Sequence, residues 1–386
     1  MPFPNLGSGD NNSFFGKIKR LEWGLVLLLT LLTCYGTVLL YGAAEANWQP
    51  WALDHITRFA AMLGLMIVVA LIDIRFWYYV AYPAYAVTLI LIIGVDLVGE
   101  ISMGAQRWLR LGPVRLQPSE FMKITIILAL ARYYQDLNVR NIAAIKHHII
   151  PIVMALFPAA MIMKQPDLGT GSVIALVGAV LVLLAGVSWR WVGAAFLSAI
   201  IGGFVGFTFF MHDFQRKRIL TFLNPERDPL GEGYQITQSK IAIGSGGIFG
   251  VGYMRGTQSQ LDFLPERHTD FVFAMLLEEF GMIGGLLALG LYLGVIGLGV
   301  FIAISSRNYF GKLLASGISV LIFIYVSINA AMIMGLMPVV GMPMPLLSYG
   351  GSVMLSIMFA IGLVQNVKVY RDKSIGTNFG SRQNVK

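Results

Sequence analysis

The sequence predicts an all-α polytopic membrane protein with about ten transmembrane helices and a large extracytoplasmic loop between helices 7 and 8. Composition is the first indication, because 56% of the 386 residues are hydrophobic and the mean hydropathy is +0.72. Charge is the second: only 12% of the residues are charged, whereas a water-soluble chain carries about 25%. So few charges cannot cover a water-soluble enzyme of this size. The third indication is the recurrence of apolar runs of roughly 17–25 residues, the length of a membrane-spanning helix.

Ten apolar runs are long enough to span a membrane, and each is predicted to be a helix. In chain order they cover 21–41, 57–73, 77–98, 118–134, 148–164, 169–187, 190–211, 271–304, 312–335 and 344–368. The first run ends near Ala44-Glu45-Ala46, which resembles a signal-peptidase site. It is still predicted to be a retained helix, because roughly 20 apolar residues exceed the ~7–15 of a cleaved signal and further spans follow.

Basic residues in the short loops set the predicted orientation. The chain has 28 Lys and Arg against 20 Asp and Glu, a net charge of +8, and short cytoplasmic loops are where Lys and Arg accumulate. One membrane domain over 1–386 is therefore expected, with cytoplasmic tails at 1–20 and 370–386. The basic residues placed in the cytoplasm are Lys17, Lys19, Arg20, Arg75, Arg132, Arg140, Lys146, Arg190, Arg307, Lys312, Lys368, Arg371, Lys373, Arg382 and Lys386. Nucleic acid is not expected as a partner, because these residues are scattered between the runs.

The segment 212–270 is the one long break in the apolar pattern, and long loops are usually functional. It carries six glycines between Gly244 and Gly256. A nucleotide-binding loop is not supported, because no strand precedes these glycines and no Gly-Lys-Ser/Thr follows them. A tightly folded loop that re-enters the membrane surface is predicted, with backbone N–H groups lining an anion site as the alternative.

Ionisable residues gather where predicted helices meet the outer face. Glu120 and Lys123 are three residues apart and share a helix face. They form either a local ion pair or part of a site, since a lysine in an apolar span is costly and seldom idle. Asp167 opens the sixth run and is either a helix N-cap or a functional acid.

Asp270 lies at the junction of the large loop and the eighth run. It too is either an N-cap or a functional acid, and the polar company of His268 and its neighbours favours function. Glu278 and Glu279 follow about two turns deeper, and one of them is expected to need a cationic partner such as Lys123 or a loop arginine.

Other kinds of site find little support. Cys34 is the only cysteine, so no intrachain disulfide can form. His147 and His148 have no acidic or thiol companion, and metal binding is not expected there. No Ser-His-Asp, Cys-His or HExxH arrangement is visible. Asp96 and Asn329 lie within runs and are expected to make helix–helix contacts.

Several groups of residues resemble motifs of the SEDS family (shape, elongation, division and sporulation), and the resemblance extends from about Glu22 to Tyr370. The groups are Arg107-Trp108 with Gln117-Pro118-Ser119-Glu120-Phe121-Met122-Lys123; Gln165-Pro166-Asp167-Leu168-Gly169-Thr170; Gly233-Tyr234-Gln235 with Gln238-Ser239; Leu264-Pro265-Glu266-Arg267-His268-Thr269-Asp270-Phe271; and Asn329, Gly335-Leu336-Met337-Pro338-Val339-Val340-Gly341-Met342 and Leu346-Leu347-Ser348-Tyr349-Gly350-Gly351-Ser352. Val353 departs from the small residue usual in the family, which bears on local packing.

The resemblance implies a ten-helix fold and a peptidoglycan glycosyltransferase. Such an enzyme polymerises lipid II, an undecaprenyl-pyrophosphate-linked disaccharide-peptide, on the outer face of the bacterial cytoplasmic (inner) membrane. The resemblance also implies a partner, a class B penicillin-binding protein that supplies the transpeptidase, and further elongation-complex proteins. Pro265-Glu266-Arg267-His268 and the short N-terminal tail favour the elongation branch, which maintains rod shape, over the division branch.

The resemblance also implies roles for individual residues. Asp270 matches the essential acid of the family and is expected to be the general base. The candidates for the pyrophosphate are Lys123, Arg107, Arg216 and Arg218. Glu120 is expected to position Lys123, and Asp167 to position the sugar or help to hold a divalent cation, Mg or Mn. The further substrate-binding residues expected from the matching motifs are Trp108, His268 and Ser348.

Two other functions remain open at this stage. A lipid II flippase fits ten spans with ionisable residues at membrane depth, although a carrier places its site near the bilayer midplane, whereas these residues gather at the outer face. A non-catalytic scaffold that activates the penicillin-binding partner is the third possibility, and the clustered charges of the loop argue against it.

Overall fold

The computed structural model describes residues 14–102, 105–111, 114–137, 144–210, 213–228, 231–261, 263–264, 266–373 and 375. Some residues named from the sequence lie outside these ranges. They are Arg140, Pro265, Arg382 and Lys386.

The described chain is built mainly from α-helices. In order they are α1 (Phe14–Lys19), α2 (Trp23–Ala43), α3 (Ala52–Leu71), α4 (Ile74–Val98), α5 (Pro118–Asp136), α6 (Ile149–Lys164), α7 (Leu168–Leu184), α8 (Trp189–Val205), α9 (Asp213–Leu223), α10 (Glu232–Gly246), α11 (Thr257–Gln260), α12 (Val272–Ser305), α13 (Tyr309–Ile333) and α14 (Gly351–Val369). Each of the ten predicted runs coincides with one of the helices α2–α8 and α12–α14. A π-helical segment, Gly206–Phe210, extends α8, and 3₁₀ turns lie at Ile145–His147 and Pro225–Arg227.

Six of the helices in the described ranges are long and apolar enough to cross a membrane: α2, α3, α4, α12, α13 and α14. The chain is therefore a multi-pass membrane protein. Helices α6, α7 and α8 are shorter, with 16, 17 and 17 residues. Helix α5 has 19 residues, and its charged residues include Glu120 and Lys123. It tolerates them because it lies in the interior of the bundle, where its residues from Met122 to Ala131 are all buried.

Packing places α5, α13 and α14 at the centre, since these helices are buried along most of their length. Small residues allow the closest helix approaches. On α7, a Cβ atom built at Gly178 would lie only 2.3 Å from the Cβ of Ala155 on α6. On α2, a Cβ atom at Gly36 would lie 2.6 Å from the carbonyl oxygen of Leu347, so this glycine brings α2 against the segment that precedes α14.

A small antiparallel sheet lies between α4 and α5, and the sequence did not predict it. Its strands are β1 (Glu100–Ser102), β2 (Ala105–Leu111) and β3 (Val114–Leu116), in the order β1-β2-β3. Leu109 pairs with Leu116 in the second ladder. Strands β1 and β3 have three residues, too few to give a period of two, and β2, with seven residues, does not alternate apolar and polar residues. The sheet leaves the all-α membrane fold unchanged.

The large loop contains α9, α10 and α11, and α10 packs against α12. The glycine-rich run folds against a break in α12 at Gly281, whose φ is 66°. The Val251 N–H donates to the Glu278 carbonyl at 3.0 Å, and the Met282 N–H donates to the Gly247 carbonyl at 3.0 Å. Two N–H groups of the run, those of Val251 and Gly252, thus bond to carbonyls of α12 rather than line an anion site.

The end of the bundle that carries α1 and the end of α14 is rich in basic residues and their ion pairs. Lys368 contacts Glu22 at 2.6 Å, Arg307 contacts Asp372 at 3.3 Å, and Lys373 pairs with Asp73. Because the helices alternate in direction, the segments before α5, α7, α12 and α14 lie together at the opposite end.

Candidate active site

Asp270 lies at this opposite end, directly before α12. The N-cap position of α12 is occupied by Phe271. The alternative that Asp270 is only an N-cap is therefore wrong. The side chain is partly buried. A Cβ atom at the exposed Gly341 would lie 3.5 Å from Asp270 Oδ2, so a residue without a side chain leaves room beside the carboxylate.

The surroundings of Asp270 favour its neutral form more than water does. The pKa of this carboxyl is raised from 3.8 to about 7, mainly by burial and also by the negative charge of Glu266, while the positive charge of Arg107 opposes the rise. A carboxylate with a pKa near neutrality is a better proton acceptor than an ordinary aspartate at the same pH.

Arg107, on β2, connects this acid with a second one. Its Nη2 donates to the Pro166 carbonyl at 2.8 Å, and its Nε lies 3.5 Å from Asp167 Oδ2. Asp167 is also the N-cap of α7, because Oδ1 accepts the Thr170 N–H at 3.1 Å. The cap interpretation of Asp167 is therefore confirmed, and the same carboxylate holds the arginine.

Glu120 and Lys123 form a second cluster, buried between α5, α13 and α14. Lys123 Nζ lies 2.6 Å from Glu120 Oε1 and also donates to the Tyr325 hydroxyl. Glu120 Oε2 accepts from the Tyr325 hydroxyl at 2.8 Å and from the Ser356 hydroxyl at 3.1 Å. The expected contact between Glu120 and Lys123 is present, and Lys123 is only 1% exposed.

His268 packs between aromatic rings from two other segments. Its ring stacks on Trp51 at 4.4 Å between centroids and lies 6.3 Å from the ring of Tyr349. Its carbonyl accepts the Tyr349 N–H at 2.9 Å. Burial lowers the pKa of His268, with Glu266 opposing that change, so the imidazole is neutral at pH 7.

Several residues beside His268 were missed by sequence reasoning. Tyr349 donates to Asp54 Oδ2 at 3.3 Å, and the guanidinium of Arg58 lies 4.9 Å from the Tyr349 ring centroid. Asp54 and Arg58 also pair with each other at 3.1 Å. The i,i+4 spacing of that pair was the only signal in the sequence, and it is too common to mark a site.

The remaining predicted residues occupy different places. Ser348 is buried, and its hydroxyl accepts the Met344 N–H at 2.9 Å, which shapes the segment before α14. Trp108 lies next to Arg107 on β2, opposite Glu100. Arg216 and Arg218 lie on α9, where Arg216 donates to the Thr208 carbonyl at 2.8 Å. These contacts position the residues without linking them to Asp270.

One of the two glutamates of α12 was expected to have a cationic partner, and Glu278 is not that residue. Its carboxylate accepts the N–H groups of Gln258 and Ser259 at 2.8 and 3.0 Å, so backbone groups rather than a cation compensate its burial. Glu279 accepts from Gln260 at 3.4 Å, and the loop residue Arg267 lies within electrostatic range of it.

A divalent cation would need several convergent oxygen or nitrogen ligands. Among the residues that the structure describes, no three His, Cys, Asp or Glu side chains converge in this way. Asp270 and Asp167 themselves already face the positive charge of Arg107. The side chains of the described residues therefore assign no metal ligand.

Comparison with known sequences supports the motifs quoted above. The model of the cell cycle protein family FtsW, RodA and SpoVE matches residues 20–373. The peptidoglycan glycosyltransferase MrdB of Escherichia coli (strain K12) is 41% identical over 366 residues, which are 94% of this chain and 97% of that protein. Stage V sporulation protein E of Bacillus subtilis (strain 168) is 36% identical over 358 residues, 90% of this chain and 96% of its own.

Solved structures have the same fold. A chain from a peptidoglycan synthase complex, described for its coordination of polymerization and crosslinking, matches with a TM-score of 0.77 and 30% identity. The match covers 92% of this chain and 99% of that one. The rod shape determining protein RodA of Thermus thermophilus matches with a TM-score of 0.67 and 28% identity, over 92% of this chain and 98% of its own.

Proposed function

Since the chain belongs to the FtsW/RodA/SpoVE family of cell cycle proteins, we propose that it polymerises lipid II with Asp270 as the general base. Its relatives are named peptidoglycan glycosyltransferases, and the chain is a peptidoglycan glycosyltransferase as well. The residues that perform the chemistry, the orientation in the membrane and the partner are parts of the proposal.

The reaction joins the 4-hydroxyl of one lipid-linked disaccharide to the anomeric carbon of another. The new bond forms between that oxygen and carbon, and the bond from the anomeric carbon to the lipid pyrophosphate breaks. The hydroxyl proton passes to Asp270, and the electron pair of the broken bond leaves with the pyrophosphate. A single displacement inverts the α linkage of the donor to β through an oxocarbenium-like transition state.

One observation carries the assignment of the base: Asp270 is a partly buried carboxylate, acted on by the opposing charges of Glu266 and Arg107, beside the exposed Gly341. General base catalysis contributes about 10²–10⁴-fold and is most effective when the pKa of the base lies near the working pH. The raised pKa of Asp270, about 7, meets that condition.

Arg107 is the first candidate for the leaving pyrophosphate. Its guanidinium lies within range of Asp270 and is held by the Pro166 carbonyl and by Asp167. Such preorganised positive charge stabilises the charge that develops on a leaving group. Lys123 is the second candidate, because it places a positive charge in its buried hydrogen-bond network. Arg216 and Arg218 on α9 are the remaining candidates for the pyrophosphate.

The active site is proposed to face the outside of the bacterial cytoplasmic membrane. The support is the distribution of charge, because the short segments at the end of the bundle that carries α1 and the end of α14 are rich in Lys and Arg, and short cytoplasmic segments are the ones enriched in these residues. Asp270 lies at the other end. The termini are accordingly assigned to the cytoplasm.

The partner is proposed to be a class B penicillin-binding protein that crosslinks the glycan strands. The support is the likeness to a chain whose complex coordinates polymerization and crosslinking. A chain of this fold that extends glycan strands needs a second activity to join them.

Polymerisation of purified lipid II, read as glycan ladders on a gel, tests the proposal. The chain, co-purified with a class B partner, is compared with Asp270→Asn and with Glu226→Gln, which removes an exposed acid from the same large loop. Ladders are expected from the wild type and from Glu226→Gln, and none from Asp270→Asn. Near wild-type turnover by Asp270→Asn would refute the assignment. Absence of ladders from every folded complex would favour the flippase or scaffold alternatives, which translocation of lipid II in liposomes then separates.

A further inference from the structure

Asn329 makes contacts that neither the sequence nor the proposed chemistry explains. It lies on α13 and is 0% exposed. Its Nδ2 donates to the Asp270 carbonyl at 2.8 Å and to the Met342 carbonyl at 2.6 Å. The expected helix–helix contact was wrong, because both partners are backbone groups of segments that lie outside the helices.

The two carbonyls belong to the segments that border the space beside the Asp270 carboxylate. Asp270 precedes α12, whose first turn begins with the Phe271 carbonyl accepting the Ala274 N–H. Met342 follows Gly341, whose φ of 67° forms a turn that a residue with a side chain rarely adopts. Gly341 is the residue beside Asp270 Oδ2. The amide of Asn329 therefore joins the two walls of this space.

The orientation of this amide is fixed by its partners. A carbonyl oxygen only accepts hydrogen bonds, so the NH₂ group of Asn329 must face both carbonyls. The reverse orientation would oppose three oxygen atoms. A serine can offer one donor and a leucine none, so only an amide of this length satisfies both segments at once.

We propose that Asn329 is a positioning residue for the transfer reaction. Its amide holds the Asp270 segment against the Met342 segment and thereby fixes the position of the Asp270 carboxylate. The inference rests on the proposed function, since it gives Asn329 its role through Asp270. The charged groups that face Asp270 are Glu266 on its own segment and Arg107 on β2, the latter paired with Asp167. Loss of the two hydrogen bonds from Asn329 exposes the Asp270 carboxylate to water and lets it move relative to Glu266 and Arg107.

The chain offers a matched control in Asn366 on α14. This residue is also 0% exposed, and its Nδ2 donates to the carbonyls of Val69 at 3.3 Å, Ala70 at 3.0 Å and Ile72. It makes the same kind of bond at the opposite end of the bundle. Asn329→Leu and Asn366→Leu therefore remove the same kind of interaction, two bonds beside Asp270 in the first and three bonds far from it in the second.

The test measures lipid II polymerisation and thermal unfolding of both leucine variants, as the full chain with its class B partner. Both are expected to lower the unfolding temperature to a similar degree. Asn329→Leu is expected to lower kcat by about 100-fold with little change in KM, because small displacements of reacting groups carry losses of this size. Asn366→Leu is expected to change kcat by no more than about twofold, because its carbonyl partners lie far from Asp270 and the reacting groups are not displaced. Asn329→Ser, which is smaller and retains one donor, is expected to give an intermediate kcat and serves if the leucine variant does not fold.

The pH profile separates positioning from mere stability. The acid limb of kcat is expected to move to lower pH in Asn329→Ser or Asn329→Leu, because a carboxylate released into water titrates nearer its ordinary pKa. Equal kcat for the Asn329 and Asn366 variants, or an unmoved acid limb, would overturn the inference while leaving Asp270 as the base. Polymerisation by Asp270→Asn would overturn the proposed function and the inference with it.

Discussion

The buried pair of Lys123 and Glu120 gives the prediction that separates a structural role from a substrate contact. The side chains are 2% and 5% exposed and meet at 2.6 Å, and Tyr325 and Ser356 complete the hydrogen bonds of the carboxylate. Removing one member of a buried pair costs about 3–5 kcal/mol, because the other charge is left uncompensated. Glu120→Gln and Lys123→Met are each expected to lose that much stability.

The double variant Glu120→Gln/Lys123→Met removes both charges and is expected to recover most of the loss. Replacement of a whole buried pair is often neutral, so its stability should fall within about 1 kcal/mol of the wild type. Lys217→Met is the control, because Lys217 pairs with Asp228 at 3.2 Å with 65% of its side chain exposed. Such an exposed pair contributes only about 0–1 kcal/mol.

Thermal unfolding of the purified protein in detergent measures these changes, and polymerisation of lipid II is assayed on the same samples. The swapped pair, Glu120→Lys with Lys123→Glu, is expected to regain stability but not activity if Lys123 contributes charge to the pyrophosphate. Activity that returns with the swap would assign the pair to structure alone. Single variants that lose no more than Lys217→Met would refute the reasoning from burial.

Three further predictions concern the acid, its arginine and the break in α12. Asp270→Asn is expected to stabilise the protein above pH 7 by up to about 4 kcal/mol, from the rise in pKa to about 7; the native acid weakens the fold only when charged, so the gain should vanish near pH 4 in unfolding scans, and a constant gain would contradict it. Arg107→Gln removes the charge that lowers the pKa of Asp270, so the acid limb of polymerisation should move to higher pH, and less so in Arg107→Lys; a move to lower pH would contradict it. Gly281→Ala forces a side chain into a φ of 66° with its Cβ 2.3 Å from the Gly250 nitrogen and should cost more than about 2 kcal/mol in thermal unfolding, whereas Gly290→Ala, on the same helix with open space around it, should change stability by less than about 1 kcal/mol; equal effects of the two would show that the break is not required.

The helices could be predicted from the sequence because lipid imposes a length and a composition on each of them. All ten runs correspond to helices, with ends displaced by several residues where polar residues continue the helix, as at the start of α3. The strands β1–β3 and the helices α9 and α10 were missed. They lack the long apolar run or the regular periodicity that marks an element in the sequence. For α10, contacts with α12 hold the helix in place.

The candidate site was predictable as residues but not as contacts. Motif resemblance brought Asp270, Asp167 and Arg107 forward, and the structure places them together. Lys123 contacts Tyr325 on α13, which lies 202 residues away in sequence, and no local sequence pattern predicts this contact. The contacts of Asn329 were equally unpredictable, because a polar residue in an apolar run does not reveal which backbone groups it will contact.

The pH dependence of lipid II polymerisation tests the central claim most directly, because it follows the ionisation of the base rather than the loss of a side chain. At lipid II concentrations well below KM, the rate should fall as Asp270 becomes protonated, with the midpoint of the acid limb near its pKa of about 7 in the free protein, provided that the protein stays folded. A rate that stays level from about pH 8 down to about pH 5 would contradict the assignment, because a base with this pKa cannot remain ionised over that range.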